Sequence, residues 1–262
     1  MTNKEPKILI YDIETAPCLG WFWRTGKSNV GSHQILRPGK IICISYRFHH
    51  WPEGKVKNIK WKRKKRDNRF SIPFTDKDMV IKFAKIAEEA DVLVGHNGDN
   101  FDRKTINSRL VYYDNPTLGH HVTEDTLKQS RLNFNLPSHK LDFLCKYFNI
   151  SGKLSTSSGL WERVVFDGSA KDLKKMVDYC DQDVLILAAL YTKFYPYVKH
   201  RLNRGVFNSQ TGMCPTCGEK DHQKRGFSYT AAGKFQRFQC TSCSTWFRDG
   251  KNLVQRSSDM GR

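Results

Sequence analysis

KILIYDIETAP, residues 7–17, decides the fold. Its first half is a short β-branched apolar run, which reads as a buried central strand. The run changes character where Asp12 and Glu14 enter it. Two positions apart on a strand, their side chains leave the same face. Carboxylates gathered at low dielectric repel one another, and one takes up a proton unless cations bind between them. Hard divalent cations such as Mg2+ or Mn2+ prefer oxygen ligands of this kind.

On either side of that strand the pattern alternates. WFWRTG (21–26) and KIICISYRFHH (40–50) are aromatic and β-branched runs separated by Gly- and Pro-containing turns, which suits a meander continuing from the first strand. KVKNIKW (55–61) reads as an edge strand whose charges discourage pairing with other chains. Met79, Val80, Phe83, Ile86 and Ala87 carry the spacing of an amphipathic helix, with Asp76 as its cap. DVLVGHN (91–97) reads as a strand and FDRKTINSRLVYY as the helix after it. HHVTEDTLK (120–128) reads as a further strand, and KLDFLCKYFNI as a short helix with Leu141, Leu144, Cys145 and Phe148 on one face. The longest helical pattern runs from near Lys171 to about Pro196. Together these elements predict an α/β sheet with helices on both faces. SGKLSTSSG (151–159) reads as a loop, and a domain boundary is expected near 200–212, giving domains over 1–200 and 201–262.

Two more acidic patches join the first. Asp102 follows the strand 91–97 across an Asn-Gly turn, at the start of a helix, and Asp183 lies four residues after Tyr179, on the same helical face. The three segments together resemble the DEDD superfamily of 3′–5′ exonucleases, which share the ribonuclease H-like fold. Asp-x-Glu stands as DIET, Asn-x-x-x-Phe-Asp as NGDNFD from Asn97 to Asp102, and Tyr-x-x-x-Asp as YCDQD from Tyr179 to Asp183. The histidine subclass has His five residues before its last Asp; here that position is Asp178, so the resemblance is to the tyrosine subclass. SHKLDFLCKYFNI (138–150) is similar, more loosely, to the family's segment between its second and third motifs.

The resemblance spans roughly residues 7–195 and implies roles. Asp12 would bridge two Mg2+ or Mn2+ ions, Glu14 and Asp183 would complete the site that carries the attacking water, and Asp102 would support the second ion. Tyr179 would orient that water. The implied reaction is hydrolysis of the terminal phosphodiester at a free 3′ end to nucleoside monophosphates. Thr15 and Ala16 correspond to backbone placed against the terminal nucleotide, and Asn97 to a strand-positioning residue, although Asn before Gly also forms turns. Asp99 competes with Asp102 as the fourth ligand; the Phe-Asp pairing favours Asp102. Asp178 and Asp181 read as solvated helix charge.

The eight cysteines divide into two kinds. Cys18, Cys43, Cys145 and Cys180 are scattered singly, as buried thiols of a reducing compartment are. Cys214, Cys217, Cys240 and Cys243 form two Cys-x-x-Cys knuckles, in MCPTCGEK and FQCTSCSTWF, whose spacing suits one structural Zn2+ better than a redox dithiol. The module looks like a zinc ribbon of the sort appended to nucleic-acid enzymes. Between its knuckles Lys224, Arg225, Lys234 and Arg237 interleave with Phe227, Tyr229, Phe235 and Phe238. Cations beside exposed rings can grip phosphates while bases stack, and about half of the rings are expected to form the ribbon's own small core.

The charge balance points the same way. Against 26 Asp and Glu stand 44 Lys and Arg, giving +18 and favouring a polyanionic partner. WKRKKRDNRF (61–70) is the densest positive run; its Lys62, Arg63, Lys64, Lys65 and Arg66 read either as surface or as a phosphate track. The longest apolar runs, such as VLILAAL (184–190), fall far short of a membrane span, and the N-terminus lacks a signal-like stretch, so a cytoplasmic chain is expected. The expectation is thus a metal-dependent 3′–5′ exonuclease with DNA favoured over RNA. A structure-selective or endonucleolytic nuclease on the same fold and a non-catalytic nucleic-acid-binding adaptor are the alternatives. Because no polymerase motif is visible, a proofreading role would require a polymerase or another replication or repair partner.

Overall fold

The computed structural model describes residues 5–23, 30–62, 75–150, 159–199, 202–204 and 212–254. They form two compact units, Lys7–Thr192 and a smaller one dominated by the residues after Lys193.

The larger unit is built on one mixed sheet. Strands β1 (Ile8–Thr15), β4 (Ile41–Phe48), β5 (Lys57–Lys60), β6 (Val92–Gly95) and β7 (Val122–Asp125) lie in the order β5-β4-β1-β6-β7. β1 pairs antiparallel with β4 and parallel with β6, so the apolar run of residues 8–11 occupies the centre. Burial on both faces explains why it is apolar at consecutive positions rather than alternating. One face takes Tyr11, whose ring meets Phe83 of helix α1 (Lys77–Ala87) at 5.2 Å between centroids. The opposite face meets helix α6 (Ala170–Phe194), where the Cys180 sulfur lies 3.6 Å from the Asp12 carboxylate. Helices α2 (Asp102–Tyr112), α3 (Thr126–Asn133), α4 (Leu141–Tyr147) and the short α5 (Leu160–Glu162) complete this unit. This is an α/β fold of the ribonuclease H-like kind, a mixed sheet flanked by helices.

Several local expectations are corrected. Of WFWRTG, Trp21, Phe22 and Trp23 do not extend the main sheet, and Arg24, Thr25 and Gly26 lie outside the described residues. Strands β2 (Leu19–Gly20) and β3 (Ile35–Arg37) pair with each other as a separate two-stranded ribbon, and Trp21, Phe22 and Trp23 are exposed beyond it. Aromatic content alone reads as strand, but among the described residues these rings stay exposed, Trp21 meeting only Trp23 and His33 edge-on. In HHVTEDTLK the strand stops at Asp125, whose side chain accepts hydrogen bonds from the Leu127 and Lys128 amides and starts α3. Asp76 precedes α1 without capping it. Its fully buried carboxylate instead makes a bidentate pair with Arg109, at 2.7 and 2.8 Å, and accepts from the Ile41 amide. A guanidinium buried beside it outbids the solvated amides of a helix end. Cys43, Cys145 and Cys180 are buried as expected; Cys18 is exposed, because it lies in the connection between β1 and β2, outside the layers. The SGKLSTSSG loop falls almost wholly outside the described residues.

The smaller unit contains a three-stranded antiparallel sheet, β8 (His222–Thr230), β9 (Gly233–Cys240) and β10 (Trp246–Asn252), with β9 central. Its interior is slight. Phe235 is buried, and the rings of His222, Phe238 and Phe247 gather within 4.6 to 5.5 Å of one another. So little apolar burial supplies few kcal/mol, which is why such a unit depends on a staple.

Candidate metal centres

The acidic centre forms where β1 ends. Strand geometry sends Asp12 and Glu14 to the face covered by α6, and the register of β1 against β4 shifts immediately after Glu14. On α6, Tyr179 and Asp183 lie one turn apart and face this strand end. Ligand oxygens of Asp12, Glu14 and Asp183 all lie within 4.8 Å of one another. Asp183 is 8% exposed, and Tyr179 hydrogen-bonds to it. Trp161 of α5 hydrogen-bonds Glu14 from a third direction.

Asp102 stands beside this trio as the first residue of α2. It is 4% exposed and accepts a hydrogen bond from the Ile13 amide at 3.2 Å, which ties α2 to the strand between the two acidic residues. Asp99 is differently placed: its carboxylate holds the Lys128 ammonium at 2.7 Å. The Asn97 backbone is left-handed, with φ of 64°, and its side-chain oxygen accepts from the Asn100 amide, so here Asn97 forms the turn. A Cβ added to either Gly95 or Gly98 would meet the other's Cα at 2.9 to 3.0 Å, so this turn closes only with glycine at both places.

Electrostatics mark the centre. Burial, then repulsion from Asp102, Glu14 and Asp183, raises the Asp12 carboxyl well above the usual carboxylate range. Glu14 is pushed up to about 8 by burial and by Asp183 and Asp102, against the Trp161 hydrogen bond. Asp102 is pushed up to about 7, mainly by burial. Tyr179 is raised by burial and by Asp183. Acidic groups held together against their own repulsion need positive charge, and hard oxygen donors suit a divalent cation. The residues present therefore fit such an ion.

Other residues fall away from the trio. Asp178 is exposed on α6. Asp181 is not solvated charge: it accepts from Ser45 at 2.6 Å and Asn58 at 2.8 Å, fastening α6 to the β4–β5 edge. Its carboxylate is consumed by partners that only the fold brings near. Ala16 is buried, and its amide donates to the Lys40 carbonyl at 2.7 Å; Thr15 ends β1 opposite Ile41. Lys62 is exposed, and Arg63, Lys64, Lys65 and Arg66 lie outside the described residues. The Trp161 contact has no antecedent in the sequence beyond a lone indole in a polar stretch.

The second centre belongs to the smaller unit. The sulfurs of Cys214, Cys217, Cys240 and Cys243 all lie within 4.8 Å of one another, with Cys214–Cys243 at 3.6 Å and Cys217–Cys240 at 3.5 Å. Tetrahedral thiolates at ~2.3 Å from one Zn2+ would sit about 3.8 Å apart, so the donor set fits. Both knuckles have the same backbone. Gly218 and Ser244 each donate back to the first cysteine carbonyl of their knuckle, and both are left-handed, with φ of 78° and 60°. Burial pushes the Cys214 thiol up to about 11, whereas Thr245 hydrogen bonds, against burial, draw Cys243 down to about 7. On the three-stranded sheet Phe227, Tyr229 and Trp246 are exposed, with Lys234 at 3.9 Å from the Phe227 ring centroid and Arg237 at 5.0 Å from that of Trp246. Lys224 and Arg225 are exposed on β8.

A mixed sheet with clustered carboxylates at the end of its central strand defines an α/β protein with an acidic cluster that could hold a cation. Residues 57–195 match the family described as RNase_H superfamily, and the chain belongs to that superfamily. Asp12 and Glu14 lie ahead of the matched segment. Among curated proteins the chain is similar to a DNA polymerase of Thermococcus litoralis, 24% identical over 224 residues that cover 74% of this chain and 12% of the polymerase. A DNA polymerase of Thermococcus aggregans is 25% identical over the same length, covering 11% of that protein. A third, from Thermococcus hydrothermalis, is 31% identical over 107 residues, 38% of this chain and 5% of the polymerase. The chain thus spans 12% or less of the length of these relatives. No helix among the described residues is long and apolar enough to cross a membrane.

Proposed function

We propose that this chain is a metal-dependent 3′–5′ exonuclease of the tyrosine DEDD subclass that hydrolyses terminal phosphodiesters of nucleic acid, single-stranded DNA above RNA. The observation that carries the reading is the convergence of Asp12, Glu14 and Asp183 within 4.8 Å, with Tyr179 hydrogen-bonded to Asp183. Superfamily membership supports the nuclease class. The DNA polymerases among its relatives favour DNA and make a polymerase or a replication or repair protein a natural partner.

Asp12, Glu14 and Asp183 would hold Mg2+ or Mn2+, with Asp102 supporting a second ion. When bound, such a pair supplies an activated water and neutralises charge on the departing oxygen. The Tyr179 phenol, raised above its ordinary pKa, stays protonated at neutral pH and can hold a water in line by donation or acceptance. Burial around the four carboxylates keeps that arrangement rigid and strengthens every charge interaction within it. In the smaller unit, Zn2+ on the four cysteines would stabilise the ribbon. Its exposed rings and cations, Lys224, Arg225, Lys234 and Arg237 among them, would stack bases and grip phosphates.

Oligonucleotides labelled at the 5′ or the 3′ end, in DNA and RNA versions, test this with and without Mg2+. A ladder of 5′-labelled products shortening from the 3′ end, with released mononucleotides, is expected only with metal. Internal cuts would replace the reading by an endonuclease, and absence of cleavage by an adaptor.

A further inference from the structure

Asp125 lies outside the three motifs, yet its carboxylate accepts from four backbone amides, two of them in the turn that leads to Asp102. It ends β7, which pairs in parallel with β6 so that Asp125 stands opposite Gly95, where the NGDNFD turn departs. One carboxylate oxygen accepts from the Asn97 amide at 3.0 Å, the Leu127 amide at 2.9 Å and the Lys128 amide at 3.3 Å. The other accepts from the Asp99 amide at 3.3 Å. Asp125 is 4% exposed, so these bonds are shielded from water. Thr126 adds a further tie, its hydroxyl donating to the Gly95 carbonyl at 3.2 Å. The Gly95–Gly98 approach leaves the turn no room to collapse inward. At its far end the turn delivers Asp102, whose carboxylate takes the Ile13 amide.

We propose that Asp125 is a positioning residue: it holds the Asn97–Asp102 turn against β7 and so sets Asp102 beside the acidic trio. The proposal rests on the metal reading of that centre but concerns geometry. A carboxylate that both caps α3 and grips two amides of the turn does two jobs, and the jobs are separable. Serine is a good helix cap but is one atom too short to span from α3 to the turn. Asparagine keeps an acceptor oxygen for the Asn97 amide while removing the charge and the acceptor that takes the Asp99 amide.

The test compares Asp125→Ser, Asp125→Asn and Lys128→Ala in the full chain with Zn2+ in place, reading Mn2+ binding by titration calorimetry beside thermal unfolding. Asp125→Ser is expected to weaken Mn2+ binding about tenfold, with Tm within a few degrees of wild type. Asp125→Asn should regain most of that affinity. Lys128→Ala, which removes only the Asp99 ion pair, should bind within about twofold of wild type. Wild-type affinity in a folded Asp125→Ser protein overturns the proposal. Equal losses in the Ser and Asn variants overturn it too, since the Asn97 bond that Asn retains would then contribute nothing. If Asp125→Ser does not fold, Asp125→Thr, an equally short cap, takes its place, and wild-type Mn2+ binding in that folded protein refutes the role. A wild-type chain that binds no Mn2+ refutes the metal reading itself, before Asp125 is altered. One that binds Mn2+ but cleaves nothing refutes the nuclease reading and leaves this test standing.

Discussion

Replacing Glu14 by Gln should make the metal-free protein more stable at pH 8 and, at the same time, abolish its stabilisation by Mg2+. The Glu14 carboxyl is displaced from 4.5 to about 8, first by burial and then by Asp183 and Asp102. Its folded pKa is raised, so the folded state holds a proton that the unfolded state releases. The stability it confers is complete below the unfolded value and is lost as pH rises from about 4.5 to about 8. At about 1.4 kcal/mol per pKa unit, the span from pH 5 to pH 8 has a ceiling of roughly 4 kcal/mol. Water entry and counterions reduce this, and a loss of about 1–3 kcal/mol is expected. Gln cannot ionise, so that slope should flatten. Urea unfolding at pH 5 and pH 8, in protein dialysed free of Mg2+ and Mn2+ without chelator, measures it by tryptophan fluorescence; Trp21, Trp23, Trp51, Trp61 and Trp161 all lie in the larger unit. Wild-type stability that is flat between pH 5 and pH 8, or a Gln variant that is less stable at pH 8, would refute the reasoning.

Four further substitutions probe the acidic centre, the cysteine group and the buried Asp76–Arg109 pair. Asp183→Ala should lower hydrolysis by at least 10³-fold with nucleic-acid affinity kept, and Tyr179→Phe should slow single-turnover cleavage about 10- to 100-fold with Mn2+ affinity intact; steady-state and single-turnover assays with calorimetry separate the two. Cys240→Ser should lower zinc content below one ion per chain and expose amides of β8–β10 to hydrogen exchange, while amides of β1 and β6 keep their protection. Arg109→Met leaves the fully buried Asp76 without its bidentate partner and should cost about 3–5 kcal/mol in chemical denaturation, an effect that a paired Asp76→Leu change should partly recover.

Much of the larger unit was legible because its signals are local. The apolar run at 8–11, short and rich in Ile, reads as a doubly covered strand, and the 3.6-residue spacing of Met79, Val80 and Phe83 marks α1 directly. The exposed aromatics at 21–23 and the exposed Cys18 were not legible, since burial depends on what packs above a residue rather than on its type. The same holds for acidic residues. Asp76, Asp99, Asp125 and Asp181 resemble Asp102 and Asp183 as letters, and each is used differently: for Arg109, for Lys128, for four backbone amides, and for Ser45 and Asn58.

The sequence by itself determined the central strand, the shared face of Asp12 and Glu14, the one-turn pairing of Tyr179 with Asp183 and the two cysteine knuckles. Each follows from a fixed backbone period or from a spacing of a few residues. Only the tertiary structure decided that residues 12, 14 and 183 converge within 4.8 Å and that Trp161 closes on Glu14. It likewise placed Asp102 against the Ile13 amide while Lys128 claimed Asp99. Those relations join residues tens to more than a hundred positions apart, and a chain's periodicity carries no information across such distances until the sheet is assembled.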